Sequence, residues 1–406
     1  MLDNRWVIAI ATILLHMSVG GIYAFSVLVN PIIAQCGFGL TETTFTFALG
    51  IFSLGIAAYF MGVKVDKHKI SSIGIPASII LLLGYLGSAY AVHIGSLLML
   101  YFCYSVLVGG MTGVFYILPV SSLIKHFTDH KGVAAGACIC GFGGGSIVSA
   151  MLMEYLVSTY GLVANFIILG VLFSIITFIA SLIIKPPKNK VLKAIYDNQP
   201  DIKPKDVYKA WQFNYLRIAF FISIFCGIGL LSVCSPIMQS TFGFSAIDAA
   251  SFVALAGIAN MSGRFIWASL SEALGSIKML LIFAIVGATM YWSIAITSNL
   301  YIFEFALLSL ISFYGGFFAC VPPALADMFT ARYLSTIHGR ALIVWAFAGI
   351  SSSPLLTLCI ELTGTYIPML YLYVMLMLIN VYLLTKLNAG AFEYRIDIND
   401  RGNKYK

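Results

Sequence analysis

Residues 162–184 read LVANFIILGVLFSIITFIASLII, and residues 185–212 read KPPKNKVLKAIYDNQPDIKPKDVYKAWQ. The first segment carries no charge and is long enough, at about 20 residues, to cross a hydrocarbon layer of roughly 30 Å as a helix. The second is rich in lysine and carries Pro186, Pro187, Pro200 and Pro204, so it predicts a polar connection outside the bilayer. Working outward, apolar runs of spanning length recur at 6–30, 44–63, 71–92, 97–124 and 132–157 before this pair. They recur at 216–240, 247–270, 277–298, 302–326, 340–361 and 366–386 after it. The reading is an all-α membrane protein of twelve transmembrane helices in two six-helix halves. Residues 1–184 form the first half, 185–212 a cytoplasmic linker, 213–388 the second half and 389–406 a cytoplasmic tail.

Composition agrees: of 406 residues 60% are hydrophobic and 10% charged, against about 25% charged in a soluble domain. Too few charges exist to coat a water-facing surface. The first run begins after four residues and has no small-residue cleavage site, so it reads as a span and not as a removable signal. Cys103, Cys138, Cys140, Cys226, Cys234, Cys320 and Cys359 fall inside spans, and no C-x-x-C pair or histidine cluster has metal-ligand spacing. Neither a disulfide, a metal site, a cofactor nor a catalytic centre is expected. Gly141-Phe-Gly-Gly-Gly145 lacks the Lys-Ser/Thr of a phosphate loop and lies within a span, which argues against nucleotide binding. The net charge of +7 comes from residues bordering spans, so it bears on topology and not on nucleic acid.

The basic residues sort onto one side. Arg5, Lys64, Lys67, Lys69, Lys125, Lys131, the linker lysines, Arg217, Lys278, Arg332, Arg340, Lys386 and the tail residues all lie there. The opposite loops carry Glu42, Asp248, Glu304 and Glu361 at or near their edges. Cytoplasmic loops concentrate Lys and Arg, so both termini are expected in the cytoplasm of a multi-pass inner-membrane protein. Arg264 is the exception, well inside the eighth span. A charge there costs at least about 2.5–3.5 kcal/mol on insertion scales, and no carboxylate neighbours it along its own helix, where Asn260 stands one turn earlier. Three roles are open to it: holding an arriving anion, pairing with a carboxylate of another helix, or reaching toward the headgroups near Glu272, roughly 12 Å along the helix.

The halves echo each other. Asp66-Lys67 follows the second span and Glu272 the eighth; Phe127-Thr to Gly132 follows the fourth and Phe329-Thr to Arg340 the tenth. A repeat that keeps the loop side needs an axis along the membrane normal. A carboxylate at such a helix end can accept from N–H groups at the start of a neighbouring helix, so Asp66, Lys67 and Glu272 are read as a cytoplasmic latch. Glycines in the fourth and fifth spans let helices approach closely. Pro119 and Pro322, in corresponding spans, are candidate bending points.

The chain resembles the oxalate/formate antiporter family of the major facilitator superfamily, which includes monocarboxylate carriers. The likeness runs through Asn4-Arg-Trp6, Tyr23-Ala-Phe25 to Asn30-Pro31, Phe127 to Gly136, Gln212-Phe213, Gly263-Arg264 and Tyr314-Gly-Gly to Asp327-Met-Phe329. It implies a secondary carrier of small organic anions with an arginine in span eight, here Arg264, and a lysine in span eleven holding two carboxylates. It also implies an aromatic cage at Tyr23, Tyr116, Phe142, Tyr314, Phe318 and Trp345. The lysine is absent, since Ala348 follows Trp345 by three residues. One fixed positive charge matches one carboxylate, so a monocarboxylate such as formate, acetate, lactate or pyruvate is expected, moved by alternating access in a monomer.

Uphill transport needs exchange or a coupled ion. His16 lies near the middle of the first span, two turns before Tyr23 on the same face, and is either a proton carrier or a neutral hydrogen-bonded packing residue. An amino acid or nucleoside carrier of the same architecture, or a non-transporting sensor, are the competing readings.

Overall fold

A computed structural model describes residues 5–65, 69–119, 131–185, 202–329 and 334–390. Among these the regular elements are helical. In the first half α1 (Arg5–Gly20) is followed by a 3-10 turn, Gly21–Ala24, then α2 (Ser26–Cys36), α3 (Leu40–Val65), α4 (Ile70–His93) and α5 (Leu97–Ile117). The continuous segment Lys131–Ile183 breaks at Gly161, whose φ of +85 lies in the left-handed region favouring glycine. It divides into α6 (131–160) and α7 (162–183). The second half comprises α8 (Trp211–Ser232), α9 (Cys234–Phe242), α10 (Ala246–Leu274), α11 (Ser276–Ile296), α12 (Leu300–Met328), α13 (Leu334–Ala341), α14 (Ile343–Thr363) and α15 (Ile367–Gly390).

Eleven helices among the described residues are long and apolar enough to cross a membrane. One of them, Cys138–Ile183, has 46 residues, about 69 Å of helix and more than twice the hydrocarbon thickness. Divided at Gly161 it supplies two crossings, so the total is twelve. An even number places the start of α1, the linker and the end of α15 on one face, called here the linker face. Leu98, Phe305, Leu362 and Met375 stand fully outward on the bundle, where hydrocarbon takes the place of water.

The first and seventh spans depart from the expected continuous helices. The first is broken at Gly21–Ala24 and the seventh at Val233 (φ −121, ψ 16). These are corresponding positions in the two halves. Gly20 and Gly21 weaken the helix, and Gly20 presses against the Phe142 backbone so closely that a Cβ has no room. Pro322 lies inside α12, and Pro119 is the last described residue of the fourth span.

The halves meet along two seams, α3 against α14 and α6 against α10, both floored by small residues. A Cβ on Gly55 of α3 falls 2.7 Å from the Ala346 amide nitrogen of α14, and one on Gly144 of α6 falls 2.8 Å from Met261 Sδ of α10. In a membrane, where lipid is as apolar as leucine, such close backbone approach supplies the packing energy. Adding side-chain volume against a backbone atom costs about 1–3 kcal/mol or more. Gly55→Leu is therefore expected to lower the thermal unfolding midpoint of the detergent-purified protein. Gly110→Ala, where nothing lies within 4 Å, is expected to leave it unchanged.

Candidate functional site

Arg264 is fully buried where α10 faces α6. Its Nε donates to Asn260 Oδ1 at 2.8 Å and its Nη1 to the Ile139 carbonyl of α6 at 3.0 Å, so the side chain bridges the two halves. Its Nη2 is buried without a hydrogen-bond partner. The guanidinium carbon stands 5.7 Å from the Phe142 ring centre and 5.4 Å from that of Phe318, within cation–π range. Of the three roles open to it from sequence, two are removed. The side chain points into the bundle while Glu272 is exposed near the end of α10, and no Asp or Glu is buried among the described residues. The charge is held by dipoles and ring faces, with one donor edge left over.

Six aromatic side chains close into a ring around this centre. Tyr23 packs on Phe142 at 5.3 Å, Phe142 on Tyr116 at 5.0 Å and Tyr116 on Trp345 at 5.1 Å. Trp345 packs on Phe318 at 4.7 Å, Phe318 on Tyr314 at 5.3 Å and Tyr314 back on Tyr23 at 6.0 Å. Each contact is edge-to-face, the arrangement the ring quadrupoles prefer. The first half supplies Tyr23, Tyr116 and Phe142; the second supplies Tyr314, Phe318 and Trp345. All six positions expected from the family likeness are thus brought together.

The polar atoms of this centre divide unevenly. Tyr23 and Tyr314 satisfy each other, hydroxyl to hydroxyl at 2.9 Å across the halves. Tyr116 Oη, Trp345 Nε1, Asn260 Nδ2 and Arg264 Nη2 are buried without partners. Tyr116 Oη lies close to Arg264 and Trp345 Nε1 close to Tyr314, though neither pair reaches hydrogen-bond geometry. Each of the four can donate, and three of them can do nothing else. A buried unpaired donor costs about 1–3 kcal/mol, so the cluster favours a ligand that accepts hydrogen bonds and carries negative charge.

His16 adjoins the same cluster. It is buried, stacks on Tyr116 at 5.8 Å and meets the Phe142 edge at 6.2 Å. Phe142 is therefore shared by His16 on one side and Arg264 on the other. The flanking glycines make this possible. A Cβ on Gly141 falls 2.8 Å from the Ile13 carbonyl and 3.1 Å from His16 Cβ. A Cβ on Gly143 falls 2.6 Å from Asn260 Oδ1 and 3.1 Å from Arg264 Nε. Sequence reasoning found close helix approach in this glycine run but missed Asn260 as a tether and the Ile139 carbonyl as an acceptor. The Gly-Phe-Gly spacing was the available signal for a helix contacted on two sides.

Contacts join the halves toward both ends of the bundle. Away from the linker face, Thr41 N–H donates to Glu361 Oε1 at 2.9 Å, Thr41 meets Thr357 at 3.1 Å, and Asn30 donates to Gln239 at 3.0 Å, all between halves. Toward the linker face, Arg340 lies over Tyr59 at 5.9 Å and Tyr208 at 4.4 Å. Asp66 and Lys67 of the expected latch lie outside the described residues. A separate void of about 20 Å³ sits behind Tyr314 in the second half, beside Ser223, Gly227, Phe283 and Met377.

The family model described as the Major Facilitator Superfamily matches residues 8–353. The chain is 25% identical over 351 residues to an uncharacterized MFS-type transporter of Escherichia coli (strain K12), YhjX, covering 86% of each chain. It is 24% identical over 346 residues to an oxalate:formate antiporter of Oxalobacter formigenes, covering 84% of this chain and 81% of that one. Among solved structures it resembles a bacterial homologue of the human lysosomal transporter Spinster, in an inward-facing and unoccupied conformation. That likeness has a TM-score of 0.67 at 16% identity and covers 96% of each chain.

Gly143→Ala places a methyl group against the Asn260–Arg264 pair. The variant is expected to insert and fold, and to bind small carboxylates at least about tenfold more weakly, the equivalent of one lost charge-assisted hydrogen bond. Calorimetric titration of the purified variant checks this.

Proposed function

The chain belongs to the Major Facilitator Superfamily, and we propose from its centre that it carries small monocarboxylates across the membrane by alternating access. The observation that carries this reading is the free Nη2 edge of Arg264, buried among aromatic rings with three further unpartnered donors beside it. A carboxylate answers that edge with charge and acceptors together, which is the strongest class of side-chain hydrogen bond. The name of the Oxalobacter relative points to carboxylates as well.

One charge favours one carboxylate. Ala348, one turn beyond Trp345 on α14, is fully buried and brings no second cation. An amino acid would add an ammonium group, and no buried carboxylate among the described residues would receive it. The six-ring enclosure suits a ligand of a few heavy atoms with an apolar tail. At a ceiling of about 1.5 kcal/mol per heavy atom, acetate gains no more than about 6 kcal/mol, so affinities of tens of micromolar or weaker are expected.

Both halves contribute three rings each, so rocking the halves apart opens the cage and a single chain contains the whole site. The enrichment of Lys and Arg on the linker face supports reading that face as cytoplasmic, with both ends on the inner side of the cell membrane. Accumulation against a gradient then draws on a counter-anion or on protons.

Arg264→Gln keeps a donor for Asn260 Oδ1, because its amide nitrogen stands where the arginine Nε did, but it loses the reach to the Ile139 carbonyl and removes the charge. It is expected to reduce uptake of labelled formate, acetate, lactate and pyruvate into proteoliposomes by at least about a hundredfold, as for loss of a buried charged hydrogen-bond pair, at normal membrane content. Uptake undiminished in that variant contradicts the proposal. Ala348→Lys is expected to shift preference from monocarboxylates toward dicarboxylates, read as the ratio of oxalate to formate uptake.

A further inference from the structure

His16 sits between two acceptors. Its Nδ1 is 2.6 Å from the Cys138 carbonyl oxygen and its Nε2 is 3.1 Å from the Tyr116 carbonyl oxygen. A neutral imidazole has one N–H, and a carbonyl oxygen has none to give. With the hydrogen on Nδ1, the Nε2 lone pair faces the Tyr116 oxygen. With it on Nε2, the Nδ1 lone pair faces the Cys138 oxygen, relieved in part by the Cys138 thiol at 3.3 Å. The imidazolium alone donates to both.

Two influences oppose it: burial, which penalises any charge on the ring, and Arg264. Cys138 and Ile139 are consecutive in α6, so His16 and Arg264 hang from adjacent carbonyls and share the Phe142 ring. The groups facing His16 from the elements packed on it are the Cys138 thiol and Phe142 of α6, Tyr116 of α5 and, across the seam, Arg264 of α10. None of them is anionic, and no carboxylate is buried among the described residues. The geometry therefore asks for a second proton while burial and the arginine charge resist it.

Building on the monocarboxylate reading, we propose that His16 takes up one proton together with each carboxylate bound at Arg264, so that acid and proton cross as a pair. The charge count supports this. The empty centre, with neutral His16 and Arg264, carries +1. The fully loaded centre, with imidazolium, guanidinium and carboxylate, carries +1 again. An anion alone gives 0 and a proton alone gives +2. Empty and loaded carriers thus cross the hydrocarbon with the same charge, and the proton rests on the second ring nitrogen until release on the other side reverses both steps. Coupling of this kind typically spans about 5–150-fold in affinity.

The test is calorimetric titration of the full chain in lipid nanodiscs with formate, acetate, lactate and pyruvate. It is run at pH 6 to 8.5 in buffers of different ionisation enthalpy, which counts protons taken up per anion. Pyruvate remains ionised throughout, so its own titration does not enter. At the alkaline end, close to one proton per anion is expected, with affinity falling at least about fivefold as pH rises. In His16→Gln no proton uptake and no such fall are expected. Acid binding by the unaltered chain without proton uptake overturns this proposal and leaves the carrier reading intact. The same holds if His16→Gln binds with the proton count unchanged. If none of the four acids binds, the monocarboxylate reading falls and this one with it.

Discussion

At the centre of the fold a positive charge is buried with no buried carboxylate among the described residues. Arg264 is fully buried, its tethers are an amide oxygen and a backbone carbonyl, and one edge of its guanidinium is unused. Burying an ion is tolerable when its partners are well placed and costly when they are not. Here Asn260, Ile139, Phe142 and Phe318 reduce the cost without cancelling the charge. What remains is one donor edge without a partner beside six packed aromatic side chains.

Arg264 reaches from the second half to the first and joins the two. The Tyr23–Tyr314 pair does the same a short distance away. The small-residue seams allow the halves to lie close, and the contacts at either end hold them there. Thr41 and Asn30 meet Glu361, Thr357 and Gln239 on one face; Arg340 meets Tyr59 on the other.

Much of this was legible in the chain. Hydropathy and the proline-rich linker gave twelve crossings, because membrane thickness fixes helix length directly. Arg264 stood out because a charge in a span is expensive. The aromatic positions came from family likeness, not from composition, since a chain with 14% aromatic residues offers many equivalent candidates. The helix breaks at Gly21–Ala24 and Val233 were not legible, because apolar periodicity continues through them. A carboxylate accepting from the start of a neighbouring helix is seen between Glu361 and Thr41 on the face away from the linker.

The central claim is that the cage recognises negative charge through the guanidinium, and one comparison isolates it. Thermal stabilisation of the purified protein by acetate is measured against acetamide, which has nearly the same shape and no charge. The account predicts that millimolar acetate raises the unfolding midpoint and that acetamide does not. Equal stabilisation by both would contradict it, because the ligand would then be recognised by shape and apolar contact with Arg264 playing no part.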